Sequence, residues 1–338
     1  MDRLSPTAHA AYNDLARSLL DEAVSEIRGT PTRLTRAGRA YWYDSFRIGA
    51  EVKQRYIGED SDEVRERLSR IEALKDGRTE RADHRTRLVR LLRAERLLGV
   101  DAGTGGLLAA MAKADVFRLG GTVVGTHAFR LYEGELGVRI GFDQTAVTNG
   151  VDIASFERLS LALGEAAAPS AGVILSDFAF DPAPSLDGAK TWRWRQAKRD
   201  VFVEFLTPSF SEEEGVRPLE ALGVSAQALH FLNYLLAEPI HAAAIYRSGV
   251  LVQVPRPERY AIHKLIIANR RKGRESLKAR KDRMQAEFLI EVLAEDRPDD
   301  LRDAYEDAMS RGPKWTGHLE KSLKSSPEAA ARLREVSV

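Results

Sequence analysis

Residues 117–154, FRLGGTVVGTHAFRLYEGELGVRIGFDQTAVTNGVDIA, constrain the chain more than any other stretch. An apolar run from Phe117 to Val124 enters a tight Gly125-Thr126 turn. A short helical segment follows over His127 to Tyr132, and a second strand carries Asp152. A backbone turn facing a carboxylate on a neighbouring strand can hold a nucleotide and its metal. The same pattern is also an ordinary strand-turn-helix packing unit, so the rest of the chain has to decide.

At 338 residues the chain has room for two or three units. Charged residues make up 30% and the formal net charge is only +1, so any nucleic-acid surface must come from local clustering. There is no Cys, which removes disulfides, thiolate metal sites and Cys nucleophiles. The N-terminal residues are charged and amphipathic, unlike a signal peptide, and no run approaches the ~20 apolar residues that span a bilayer. The expectation is a cytoplasmic protein with no membrane partner.

Residues 7–28 carry Ala11, Leu15, Leu19, Leu20, Val24 and Ile27 at helical spacing, and Gly29 with Pro31 ends the run. Tyr41, Trp42 and Tyr43 face Val52, Arg55 and Tyr56 across a Gly49 turn, which reads as a β-hairpin. Its aromatic residues, mixed with Arg47, Lys53 and Arg55, suit base stacking or phosphate contact, and equally suit a half-buried hairpin over a helix. Residues 61–98 read as charged helix with an apolar face of Leu88, Leu91, Leu92 and Leu97. The Gly-rich run 99–106, GVDAGTGG, reads as a break; no Lys-Ser/Thr follows it, so it is not a P-loop. Strands are expected at 172–180, 192–194, 201–206 and 250–254. Helices are expected at 156–163, 226–236, 260–271, 277–294, 299–309 and 317–323. Short strands interleaved irregularly with helices argue for an α+β or mixed α/β core without a regular βαβ repeat. The boundaries drawn are an N-terminal helical and β-hairpin module over 1–98, a core over 99–210, and a mainly helical C-terminal domain over 211–338. No His pair has zinc spacing and Gly-X-Ser-X-Gly is absent.

Nucleotidyl transfer needs hard oxygen ligands for divalent cations, usually two carboxylates one residue apart on a strand and a third on an adjacent strand. It also needs a small-residue turn whose backbone N–H groups approach the triphosphate. Val124-Gly125-Thr126-His127-Ala128-Phe129 supplies such a turn. It resembles the hydrophobic-Gly-Gly/Ser signature of the nucleotidyltransferase (DNA polymerase beta-like) superfamily. Thr148-Asn149-Gly150-Val151-Asp152-Ile153 falls where that superfamily has Thr-X-Asp-hydrophobic-Asp, and Val203-Glu204-Phe205 resembles its later acidic strand. From about Tyr41 to Leu323 the chain is similar to a group of bacterial nucleotidyltransferase-fold proteins. Further landmarks are Phe117-Arg-Leu-Gly-Gly121, Val254-Pro-Arg-Pro257, Ala261-Ile-His-Lys264, Lys281-Asp282 and Arg311-Gly-Pro-Lys-Trp315.

The resemblance implies a nucleotidyltransferase-like mixed sheet flanked by helices, with a helical C-terminal domain and an N-terminal helix/β-hairpin module. It implies transfer of NMP from an NTP, using Mg²⁺ or Mn²⁺, to an acceptor that the sequence does not name, with nucleic acid and protein as candidates. Gly125 and Thr126 would cradle phosphates, Asp152 and Glu204 would hold metal and carry the chemistry, and Lys264 would pair with the triphosphate. Two positions depart from the pattern: Gly150 stands where the first Asp belongs, and Glu204 where Asp is usual. Asn149 faces the other side of a regular strand, although a bulge at Asn149-Gly150 would redirect it. Asp200, four residues before Glu204, shares its strand face, and Asp143 is a more distant substitute. His127, at a helix start, is expected neutral. The basic run from Tyr260 to Arg283 is expected to turn His263, Lys264, Arg270 and Arg271 toward a cleft or solvent. Gly150 also supports a second expectation, a fold without catalysis that binds nucleic acid or a partner protein; a toxin-antitoxin pair is a further alternative.

Overall fold

The computed structural model describes residues 2–24, 29–36, 38–48, 51–141, 150–156, 165–184, 190–197, 200–211, 214–271 and 275–337. The first helix, α1 (Pro6–Val24), buries Ala8, Ala11, Tyr12, Leu15 and Leu19, a stripe at helical spacing. Ser5 starts it by accepting from the Ala8 N–H at 3.1 Å. The stripe packs on Val89, Leu92 and Leu97 and on Ala243 and Ile245. Between them, the buried Tyr12 hydroxyl accepts from the Ala243 N–H at 3.1 Å. α1 is therefore the joint between the N-terminal residues and the rest of the chain.

The expected hairpin is part of a three-stranded antiparallel sheet: β1 (Thr30–Arg36), β2 (Arg39–Ile48) and β3 (Glu51–Glu59), with β2 in the middle. Tyr43 faces Tyr56 as expected, whereas Arg47, not an aromatic residue, faces Val52. The expected Gly49 turn lies outside the described residues. Asp60 closes this sheet. It accepts from Arg65 at 2.7 Å, Trp42 at 2.9 Å and Arg33 at 2.8 Å, which hold its carboxyl well below the usual range. α2 (Asp62–Ala94) follows with Ser61 as N-cap and Asp62 and Glu63 in its first turn, both favourable at that end.

The expected glycine-rich break is instead the start of a helix, α3 (Ala102–Lys113). Asp101 caps it by accepting from Gly103 N at 3.0 Å and Thr104 N at 3.1 Å. The glycines serve packing: a Cβ at Gly105 would overlap the Tyr246 ring. Of the expected strand 117–124, only β4 (Thr122–Val124) is extended, and α4 (Gly125–Leu136) follows it at once.

The central sheet runs β4, β5 (Gly150–Ala154), β8 (Phe202–Ser209), β10 (Val224–His230), β9 (Val216–Leu219). β7 (Arg193–Gln196) lies against the start of β8, and β6 (Phe180–Pro182) against β7. This sheet draws strands from both sides of residue 210. β5 pairs in parallel with β8, which pairs in parallel with β10; β4, β7 and β9 are antiparallel to their neighbours. Two expectations fail here. Residues 172–180, expected as strand, form α5 (Ala171–Asp177) and then β6. Ser170 caps that helix, and Ala171, Ile174 and Leu175 are buried at helical spacing despite the Val and Ile that suggest a strand. The helix expected at 226–236 is β10 followed by the single turn α6 (Leu232–Leu235). Ala226 and Ala228 are buried at period two between β8 and β9, so tertiary pairing overrides the helix propensity of alanine. The helix expected over 156–163 falls on residues outside those described, save Phe156.

A two-stranded sheet, β11 (Ile240–Ala244) and β12 (Val250–Val254), is tied to β4 by Gln253 donating to the Thr122 hydroxyl at 2.8 Å. The chain ends in helices α7 (Pro257–Arg270), α8 (Ser276–Asp296), α9 (Pro298–Ser310), α10 (Pro313–Lys324) and α11 (Pro327–Val336), the last not expected. Tyr260, Leu265 and Ile266 of α7 and Leu289, Ile290 and Leu293 of α8 extend the main core from the sheet into this helical region. The fold is thus the expected mixed α+β sheet with a helical C-terminal part. Among the described residues, no helix is long and apolar enough to cross a membrane.

Tyr12→Phe keeps the packing of α1 but strands the buried Ala243 N–H. The expected cost is about 1–3 kcal/mol, read as a lower midpoint in urea with an unchanged slope.

Candidate functional site

β5 and β8 pair with Gly150 opposite Phe202 and Asp152 opposite Glu204. Val151, Ile153, Val203 and Phe205 are buried in the core, so alternation delivers Gly150, Asp152, Phe202 and Glu204 to the other face. β7 extends this arrangement: Arg193 lies opposite Glu204, with Nε 3.0 Å from Oε1. Its guanidinium carbon sits 4.0 Å from the centre of the Phe202 ring. Asp152, Glu204 and Arg193 therefore form one row across three strands.

On the far side, Val124 of β4 pairs with Asp152, which brings the next residue, Gly125, against the Asp152 carboxylate. Gly125 has φ +65°, and a Cβ there would overlap Asp152 Oδ2. Only glycine allows both the left-handed backbone and this close approach. Thr126 is buried in the first turn of α4. The Gly125 carbonyl accepts from the Tyr260 hydroxyl at 2.9 Å, and the Gln285 side-chain amide lies 3.1 Å from the same hydroxyl. α7 and α8 are thereby fixed to the turn.

Those two helices bring the cations. Lys264 Nζ is 2.5 Å from Asp282 Oδ1 and 5.2 Å from the Tyr260 ring centre, and Arg271 Nε is 2.8 Å from Asp282 Oδ2. Asp282 is buried and serves both. Beside it, burial and then the charge of Lys264 bring Lys281 down to about 8.

Asp152 keeps some accessible surface but is ringed by protein. Loss of water, and next the repulsion of Glu204, push it up to about 7, against the pull of Lys264, Lys281 and Arg271. Among the described residues, no hydrogen bond reaches its carboxylate. A desolvated carboxylate without a donor, in register with a second carboxylate, suits one hard divalent cation. Mg²⁺ commonly takes one or two carboxylates and completes its shell with water and substrate phosphate. No group of three or more His, Cys, Asp or Glu forms a metal cage among the described residues. A Cβ at Gly150 would meet only ordinary contacts, Phe202 O at 3.5 Å and Phe202 Cβ at 3.8 Å, so a side chain there has space.

The structure thus brings Asp152 and Glu204 together on the sheet and Gly125, followed by Thr126 in the first turn of α4, against Asp152, with Lys264 near enough to act electrostatically on Asp152. Other candidates fall away. Asp200 is exposed, precedes β8, and pairs with Arg195 at 3.4 Å. His263 is buried and not cleft-facing; burial takes it down to about 3. His127 is likewise neutral, lowered by burial to about 4. Arg270 is held by Glu214 at 2.9 Å and Arg271 by Asp282, so neither is turned out to solvent as a bare charge. Asp143, Thr148 and Asn149 lie outside the described residues. The sequence reading missed Arg193 and Tyr260. The period-two Arg193-Trp194-Arg195 pattern marks a strand, but which strand it pairs with is non-local information.

A family model described as Nucleotidyltransferase matches residues 102–310. A second, described as Domain of unknown function (DUF6788), matches residues 9–66. No curated protein and no solved structure matches the chain.

The raised Asp152 pKa has a stability consequence. Below its ordinary value near 3.8 the group is protonated in both folded and unfolded chains. Between there and about 7 only the folded chain keeps the proton, so this contribution to stability falls as pH rises and is fully lost above 7. Asp152→Asn, neutral throughout, is expected to match wild type near pH 4 and to melt higher than wild type at pH 8. The gap should grow by up to about 1.4 kcal/mol per pH unit within that window. Mg²⁺ at pH 8 should raise the melting temperature of wild type and leave that of Asp152→Asn unchanged.

Proposed function

The chain belongs to the nucleotidyltransferase family, and from that premise we propose that it transfers NMP from an NTP to an acceptor nucleophile, with Mg²⁺ or Mn²⁺ as cofactor. One observation carries this reading: the Asp152 carboxylate, which has no hydrogen-bond donor among the described residues, is in register with Glu204, lies against the Gly125 turn and is within reach of the charges of Lys264, Lys281 and Arg271. Asp152 and Glu204 would hold the ion, Glu204 through the oxygen that Arg193 does not engage. A divalent ion held there would act as a Lewis acid on a phosphoryl oxygen and offset charge that develops in an in-line displacement.

The remaining work falls to the chain's own groups. The start of α4 offers backbone N–H groups to phosphate oxygens, and Gly125 leaves the approach open. Lys264 and Arg271, pre-set by Asp282, and Lys281 beside them, supply positive charge for a triphosphate. Tyr260 and Gln285 lock these helices to the turn, so the two halves of the site keep their spacing. The acceptor oxygen bonds to the α-phosphorus as the bond to the bridging oxygen breaks, releasing pyrophosphate.

The test is incubation with each α-labelled NTP and Mg²⁺ or Mn²⁺. Label transfer is expected from wild type and is expected to fall at least ~100-fold in Asp152→Ala, with a weakened KM for NTP in Lys264→Ala. Transfer by Gly150→Asp alone would identify the natural chain as a degenerate enzyme.

A second reading, binding of nucleic acid or a partner protein without transfer, is favoured by a separate observation. Tyr41 and Tyr43 stand on one face of β2 and pack on Tyr56, Tyr43 edgewise and Tyr41 tilted, and Tyr56 is 56% exposed. Stacked bases would use such a face. That reading expects salt-sensitive binding of single-stranded oligonucleotides that Tyr56→Ala weakens about tenfold and Asp152→Ala leaves intact. Its failure is an unchanged gel shift in Tyr56→Ala.

A further inference from the structure

Glu204 has a carboxylate on one side and a guanidinium on the other. In the row across the sheet, Asp152 of β5 and Arg193 of β7 are its two cross-strand neighbours. Arg193 is held on two sides, by the ion pair to Oε1 at 3.0 Å and by the Phe202 ring at 4.0 Å. Its strand is anchored as well: Phe205 donates to the Trp192 carbonyl at 2.8 Å. The ring that supports Arg193 belongs to Phe202, the residue paired with Gly150. So a site that has Gly150 where a third carboxylate would stand on β5 has a fixed cation two strands away, on β7.

We propose that Arg193 supplies the positive charge that a second divalent ion would otherwise bring, so that the site binds one divalent ion, between Asp152 and Glu204. This rests on the metal-holding role assigned above to those two carboxylates. The charge balance supports it. Two carboxylates are matched by one divalent ion, and Arg193 already engages one of them. A second ion would meet the positive charges of Arg193, Lys264 and Arg271, the last two of which share the single carboxylate of Asp282. A guanidinium also suits a phosphate oxygen, to which it donates in a fixed planar geometry.

Removing Arg193 separates two effects that a merely structural residue would not separate. Affinity for a free divalent ion rises, because a competing cation has gone. Affinity for the triphosphate falls, because a donor has gone. The measurement is Mn²⁺ binding to the full chain, counted by electron paramagnetic resonance of the free ion, together with calorimetric titration of α,β-methylene-ATP. Wild type is expected to take one Mn²⁺, and Asp152→Ala none. Arg193→Ala should bind Mn²⁺ about tenfold tighter and the nucleotide analogue about tenfold weaker. Arg193→Lys, which keeps the charge, should restore most of both. Gly150→Asp combined with Arg193→Ala should take two Mn²⁺.

Two Mn²⁺ bound by wild type overturns the proposal. So does Mn²⁺ affinity unmoved or weakened in Arg193→Ala that retains the wild-type circular dichroism. If Arg193→Ala does not fold, Arg193→Gln, with the stem retained, is read in its place. Mn²⁺ retained in full by Asp152→Ala sinks the underlying metal assignment too. Loss in Asp152→Ala with no change in Arg193→Ala sinks the Arg193 proposal alone.

Discussion

The parallel pairing of β5 with β8 governs the site. One register brings Asp152 level with Glu204 while sending Val151, Ile153, Val203 and Phe205 into the core. A slip of either strand by one residue would exchange that strand's faces, turning its acid inward and its two apolar side chains outward. Core packing therefore enforces the electrostatic repulsion at the site. The energy that keeps two carboxylates side by side comes from apolar burial on the opposite face of the same strands.

The second constraint is the attachment of α7 and α8 to the sheet. Tyr260 is fully buried, packs against Phe129 and Tyr132, and donates to the Gly125 carbonyl. The turn and the cationic helices are consequently parts of one packed body. At the other end of the chain Tyr12 plays a comparable part, with its hydroxyl on the Ala243 N–H of β11.

Local chemistry was legible in the sequence and non-local pairing was not. The long helices, the β2–β3 strands, β12 and the Gly125 turn follow from spacing and turn residues. Asp152 and Glu204 were identifiable by resemblance, and the strand register then brought them side by side. The errors share a cause. Residues 172–180 carry β-branched side chains yet bury a helical stripe, and 226–230 carry alanines yet fill a gap between two strands. In both cases the partner surface decides, and that surface comes from distant residues. Arg193 escaped notice for the same reason, since its significance depends on Glu204 eleven residues later across a strand pair.

Asp282 has an effect beyond placing two cations. Its two oxygens are engaged by Lys264 and Arg271 at the same time. An incoming anion meets those cations already partly neutralised, and must draw them from a partner that cannot diffuse away. A weakly charged ligand gains little from that exchange, whereas a dense polyanion gains at several oxygens at once. On the proposed role of Lys264 and Arg271, the buried carboxylate would act as a threshold, setting how much negative charge a ligand must carry to compete for them.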